Sequence, residues 1–173
     1  MSAASVTPPR AAAPERPPAR RSGAAVLRPA TASDRDAIEK LVERVAAEVY
    51  GHLFQGAPPR PDGRWAQALV AAAEGRIVAV MVADDDWIED LWVAANWRRR
   101  GIGTRLLAAG ERQIALRGCK LARLRVIAEN SGARCFYARQ GWSEAETYPH
   151  ERWGFEMVDM VKRVTSAPSG SDA

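Results

Sequence analysis

The chain predicts an α/β domain of mixed α+β character, with a central mixed, mostly antiparallel sheet of six to seven strands flanked by about four helices. Three observations carry this expectation. Short apolar runs and amphipathic segments alternate in the order β-α-(α)-β-β-β-α-β-α-β-β between Ala25 and Arg163. Three successive runs are separated only by Glu74-Gly75 and by Asp84-Asp85-Asp86, the spacing of hairpins. One strand then passes through a glycine-bearing loop directly into an amphipathic helix, LWVAANWRRRGIGTRLL, Leu91–Leu107.

The elements follow in order. Ala25-Val26-Leu27-Arg28 reads as a short strand stopped by Pro29. Ser33, with Asp36 three residues on, reads as a near capping box. Ala37, Ile38, Leu41, Val42, Val45, Ala46 and Val49 then recur at helical spacing to about Tyr50. Gly51–Gly63, with three prolines, reads as a loop or broken second helix, with His52, Phe54 and Gln55 suited to a substrate-facing lip. Trp65–Ala73 and Arg76–Ala83 read as a hairpin, and Ile88–Val93 as the next strand. The helix after the loop runs to about Leu116 and stops at Arg117-Gly118. Leu121–Ile127 is another strand, and Asn130 caps a helix over Ser131–Gln140 that ends at Gly141. Trp142–Tyr148 and Phe155–Arg163 close the sheet.

Composition narrows the function classes. The 173 residues form one ordinary domain over 25–164, with a Pro/Ala/Arg-rich tail over 1–24 and a Ser/Gly-rich tail over 165–173. The first tail has too little to bury to offset its ordering entropy and reads as disordered; the second reads as flexible. Of the formal charge of +4, about +3 lies in residues 1–24 and about +2 on the domain. So balanced a domain argues against nucleic acid as the main partner. No apolar run reaches the ~18–20 residues of a membrane span. Two cysteines, Cys119 and Cys135, fit a reducing compartment, read as cytoplasmic. With only His52 and His150, neither a zinc site nor a Ser-His-Asp triad has support, and no metal is expected.

The loop Arg98-Arg99-Arg100-Gly101-Ile102-Gly103 carries the most pointed chemistry. Glycine lets the backbone turn sharply and approach a ligand, and a helix start offers unpaired N–H groups and a positive dipole end. Together they form an anion cradle. The spacing is that of neither a Walker A loop nor a dinucleotide fingerprint.

It does satisfy R/Q-x-x-G-x-G/A, and here the sequence, from about Ala25 to Val164, resembles the GNAT acetyltransferase superfamily. A second match is Asn130-Ser131-Gly132-Ala133-Arg134-Cys135-Phe136-Tyr137, then Gly141-Trp142. It resembles the N-x-x-A-x-x-(F/L)Y-x-x-x-G-(F/W) helix that flanks the pantetheine end of the coenzyme. The resemblance implies the GNAT fold, acetyl-CoA as donor, and its pyrophosphate held by Arg98, Arg99, Arg100, Gly101, Ile102, Gly103 and Thr104. By the same resemblance Asn130, Ala133 and Tyr137 bind the coenzyme toward its pantetheine end, with Leu91, Trp92 and Val93 along the strand. Ile88-Glu89-Asp90-Leu91-Trp92-Val93 followed by Trp97-Arg98 also resembles a segment of diamine (spermidine/spermine) acetyltransferases. By that likeness Glu89 is the base and Tyr137 the acid. The family's ribosomal-protein acetyltransferases carry a Glu where this chain has Arg125, which counts against that subgroup.

The chemistry asks for such groups independently. An amine of pKa ~10.4 is about 3.4 units from neutrality at pH 7, so freeing its lone pair costs roughly 4–5 kcal/mol unless a base assists. Glu89 could serve directly or through water, and Asp90 faces the other side of a regular strand; either can meet the acceptor. Backbone N–H groups over Leu91–Val93 could stabilise the oxyanion, and Tyr137 could protonate the leaving thiolate. Asp84, Asp85, Asp86, Glu89 and Asp90 together would attract a cationic amine.

The expected function is therefore direct acetyl transfer from acetyl-CoA to the amine of a small molecule, a polyamine-like or other cationic acceptor, with Glu89 and Asp90 on the acceptor side. A protein or peptide N-acetyltransferase and a non-catalytic acyl-CoA-binding module are the alternatives. A homodimer stays open.

Overall fold

The computed structural model describes residues 23–54 and 64–165. The expectations for the two chain ends, and for 55–63 including Gln55, lie outside the described residues. Seven strands form one sheet: β1 (Val26–Pro29), β2 (Leu69–Ala73), β3 (Arg76–Asp84), β4 (Trp87–Val93), β5 (Leu121–Ile127), β6 (Ser143–Pro149) and β7 (Glu156–Arg163). Their spatial order is β1-β2-β3-β4-β5-β7-β6. Every neighbouring pair is antiparallel except β4 with β5, which is parallel. The mixed, mostly antiparallel sheet is as the sequence predicts.

Among the described residues there are three α-helices, α1 (Arg35–Tyr50), α2 (Ile102–Leu116) and α3 (Ser131–Arg139), besides short 3-10 turns. The second helix expected after α1 is one such turn, Gly51–Leu53. The expected strand from Trp65 begins only at Leu69, because Trp65–Gln67 turns to bury the Trp65 indole in the core. The capping pair is also shifted, from Ser33 and Asp36 to Thr31 and Asp34. The Asp34 carboxylate accepts from both Arg28 guanidinium nitrogens, at 2.6 and 2.9 Å, and from the Thr31 N–H at 2.8 Å. These bonds, led by Arg28, hold its carboxyl well below the usual range and seat the first turn.

β3 sits mid-sheet with Val78 through Ala83 all buried, as a strand covered on both faces must be. The pairing register separates the faces. Met81 lies opposite Leu91, and Val82 opposite Asp90, so the two sets point to opposite sides. A Cβ added at Gly110 of α2 would come within 2.6 Å of Ile88 and 2.9 Å of Met81. α2 therefore lies tight on the Met81/Leu91 face. The Tyr50 ring, ending α1, meets Trp92 on the other face.

One irregularity positions the site. β4 and β5 are paired only at Trp87↔Arg123 and Ile88↔Leu124. Beyond these residues β4 runs on to Val93 and β5 to Ile127 with no mutual pairing. Against β3, Ala83 pairs with Ile88 and Val82 with Asp90, which leaves Glu89 as an extra residue bulged from the ladder. The bulge bends β4 where it leaves β5, and the sheet opens into a V there.

Candidate active site

The Arg98–Gly103 loop turns sharply into α2. Arg99 (φ 58°) and Gly101 (φ 76°) are both in the left-handed region, so the loop reverses direction just before α2. The first bond of the helix runs from the Arg105 N–H to Gly101 O at 3.0 Å. Among the described residues no acceptor meets the N–H groups of Arg99, Arg100, Gly101, Ile102, Gly103 or Thr104. Successive unpaired N–H groups in such a turn form a concavity that suits an anion, and the dipole of a 15-residue helix adds to it.

The three arginines have separate tasks. Arg98 donates to Val93 O at 3.0 Å and to Glu48 at 2.8 Å, tying the loop to the end of β4 and to α1. Arg100 lies over the Trp97 ring at 4.7 Å. Arg99 is exposed and has no side-chain partner among the described residues.

Beside the cradle lie the end of β4 and α3. Asn130 caps α3, its Oδ1 accepting from the Ala133 N–H at 3.0 Å. Ala133, Phe136 and Tyr137 pack against the core, and a Cβ on Gly103 would lie 3.5 Å from Phe136 and 3.7 Å from Val93. The cradle, the end of β4 and α3 thus meet at one point.

Tyr137 is half-buried as a residue, and its phenol is the deep end. Burial first, then the acidic groups of Tyr50 and Asp90 nearby, push its pKa upward. Its ring lies against Phe136 and Trp142 at 5.2 and 6.2 Å. Asp90 is half-buried. Its Oδ1 accepts from the Trp92 indole N–H at 2.6 Å, and its Oδ2 has no donor among the described residues. Burial and the neighbouring Glu89 charge raise its pKa, against the pull of the Trp92 bond.

The structure therefore brings Asp90, Trp92, Val93, Gly103, Asn130, Ala133 and Tyr137 together and places Glu89 elsewhere. Glu89 is exposed at the bulge, within electrostatic reach of Arg125 on β5. The regular alternation assumed from sequence fails at that one residue, and Asp90 is the carboxylate whose charge reaches Tyr137. The five-carboxylate cluster also disperses: Asp84 pairs with Arg64, and Asp86 with Arg123 at 2.9 Å. Tyr50 is a site residue that sequence reasoning missed. Its hydroxyl accepts from Asn130 Nδ2 at 2.7 Å. In the sequence it is only the last apolar residue of a helix.

The segment after α1 is described as far as Phe54. His52 lies 3.6 Å from Glu129, and Phe54 meets Trp153 and Phe155 edge-on at 5.1 and 5.7 Å. The segment after α1 thereby touches the turn between β6 and β7. Trp142 is buried and donates to Glu111 at 2.9 Å, while Trp87 lies under the Arg125 guanidinium. No group of His, Cys, Asp and Glu among the described residues could hold a metal ion. No described helix is long and apolar enough to cross a membrane.

A family model described as an acetyltransferase (GNAT) domain matches residues 32–164, most of the chain and all of this site. The chain belongs to the GNAT acetyltransferase family. Members of this family use acetyl-CoA as acetyl donor, and the fold observed is the GNAT fold. An uncharacterized N-acetyltransferase of Methanocaldococcus jannaschii is 31% identical over 106 residues, covering 55% of this chain and 44% of its own length. The chain thus spans under half of that curated relative. Among solved structures, the ribosomal-protein-alanine N-acetyltransferase of Brucella melitensis superposes with a TM-score of 0.66 at 21% identity, over 80% of this chain and 99% of that one. The yncA protein of Salmonella typhimurium, solved with its cofactor acetyl-CoA, gives 0.67 at 14% identity, over 87% and 100%. Such identities speak for the fold alone.

Proposed function

We propose that this GNAT protein is a cytoplasmic N-acetyltransferase that moves an acetyl group directly from acetyl-CoA to the amine of a small molecule. The observation that carries the reading is the half-satisfied carboxylate of Asp90 within electrostatic reach of the Tyr137 phenol, on the strand that leads into an anion cradle. The unpaired N–H groups of 99–104 and the free Arg99 charge suit a pyrophosphate.

When bound, acetyl-CoA supplies an activated thioester carbonyl to the incoming amine. In this reading Asp90 takes the proton that leaves nitrogen as the C–N bond forms. Its raised pKa makes it a better base than an ordinary surface carboxylate. Backbone N–H groups over Leu91–Val93, on the strand edge that β5 abandons, donate to the oxygen that gains charge. Tyr137 gives a proton to sulfur as the C–S bond breaks; its raised pKa keeps that proton in place at neutral pH. Exchange with solvent returns the proton from Asp90 and restores the one on Tyr137.

The bridge from Phe54 to Trp153 and Phe155 closes one side of the mouth, which favours a small acceptor over a folded protein. The Brucella neighbour, by its name, acts on a ribosomal-protein alanine, so a peptide N-terminus is the rival acceptor. Against it stands Arg125, held by Asp159 at 2.8 Å between the Trp87 and Tyr148 rings. Polyamine specificity loses support, because the paired Asp84 and Asp86 no longer contribute free charge.

Acceptor-dependent thiol release with spermidine, lysine, an aminoglycoside and an alanine-ended peptide tests the reading. Release with one of the three small amines is expected. Release with the peptide alone would move the acceptor to protein. Saturable acetyl-CoA binding with no release anywhere would make the chain a binding module. With the best acceptor, Tyr137→Phe should lower turnover by about 10²-fold or more with acetyl-CoA affinity little changed. Native rates at every pH would remove Tyr137 from the chemistry.

A further inference from the structure

Three carboxylates that join elements of the fold, Asp34, Asp159 and Glu111, have both oxygens engaged. Asp34 accepts from Arg28 and Thr31. Asp159 accepts from Arg125 and Tyr148. Glu111 accepts from Lys162 and Trp142. Asp90 differs, being half-buried with one oxygen on a single indole N–H and the other without a donor among the described residues.

That indole is itself held. The Tyr50 ring meets Trp92 edge-on at 6.2 Å and 87°, which fixes the plane of the indole. The Tyr50 hydroxyl accepts from Asn130 Nδ2 at 2.7 Å, while the Oδ1 of the same amide caps α3. One amide therefore joins the end of α1 to the start of the helix that carries Tyr137. The chain of contacts runs from the cap of α3 through Tyr50 and Trp92 to Asp90 Oδ1.

We propose that Trp92 and Tyr50 are positioning residues that orient the Asp90 carboxylate, so that Oδ2 faces the acceptor amine in the gap between β4 and α3. The catalytic part of this assignment rests on the reading of Asp90 as base. The indole donates to the charged form of the carboxylate, which favours that form and restrains the rise that burial causes. The titratable and charged groups around Asp90 are Glu89 on its own strand, Tyr50 from α1 and Tyr137 from α3. Arg125 of β5 acts on Glu89.

The test follows the carboxyl carbon of Asp90 by NMR in full-length protein labelled with 13C-aspartate, its signal assigned by its absence in Asp90→Asn. In Trp92→Phe the midpoint should move up by about one pH unit, and the acid limb of kcat/KM should move up with it. Tyr50→Phe, which frees Asn130 but keeps the ring, should give a smaller shift of the same sign. In the native protein the Trp92 indole N–H resonance should titrate with the Asp90 midpoint, a readout that holds even if Trp92→Phe does not fold. An indole resonance indifferent to that titration, or an unchanged midpoint in a folded Trp92→Phe, overturns the positioning role. Native turnover in Asp90→Asn overturns the base instead, and the NMR titration then judges the positioning separately.

Discussion

Gly103→Trp should abolish saturable acetyl-CoA binding, weakening affinity by at least about 100-fold, or roughly 2.7 kcal/mol. A Cβ at this position already touches Phe136 at 3.5 Å and Val93 at 3.7 Å. Those are ordinary contacts, so Gly103→Ala should bind almost as the native chain does. An indole has no room on the Phe136 side and must swing into the gap between the cradle, β4 and α3. Titration calorimetry of both variants separates a blocked cleft from a damaged fold, since Gly103→Ala shares the backbone change without the bulk. Unchanged affinity in Gly103→Trp would remove the cradle from coenzyme binding.

The second large effect is expected at Asp90. Asp90→Asn keeps an oxygen for the Trp92 indole, so the local packing survives, but the amide cannot take a proton at neutral pH. Turnover should fall by about 10²–10⁴-fold, the range a positioned general base contributes, with acetyl-CoA affinity retained. Glu89→Gln should leave the rate close to native, since Glu89 is exposed at the bulge and away from the phenol. The reverse pattern, with Glu89→Gln inactive and Asp90→Asn active, would return the base to Glu89.

Much of this was legible in the residues, and the part that was not has a common physical origin. The order of elements followed from periodicity, because β3 is continuously apolar and α1 and α2 each bury one stripe. The cradle was legible because a left-handed Gly101 before a helix start is a local feature, complete within six residues. The choice between Glu89 and Asp90 was not. It turns on one bulge set by the register between β3 and β4, and a one-residue slip exchanges the faces of a strand. Tyr50 was invisible for a related reason: its meaning comes from Asn130, 80 positions away, and no local pattern encodes that meeting. The acidic run misled in the opposite sense. Its carboxylates are adjacent in sequence, yet Arg64 and Arg123 claim two of them from elsewhere in the fold.

The central claim, that acetyl-CoA enters by the Arg99–Thr104 cradle and reaches the parting of β4 from β5, can be read amide by amide. Backbone 15N–1H spectra recorded while acetyl-CoA is added should show the largest changes at Gly101, Ile102, Gly103 and Thr104, with a second group at Leu91–Val93. Saturable binding that leaves those amides unmoved and perturbs another surface would contradict the account.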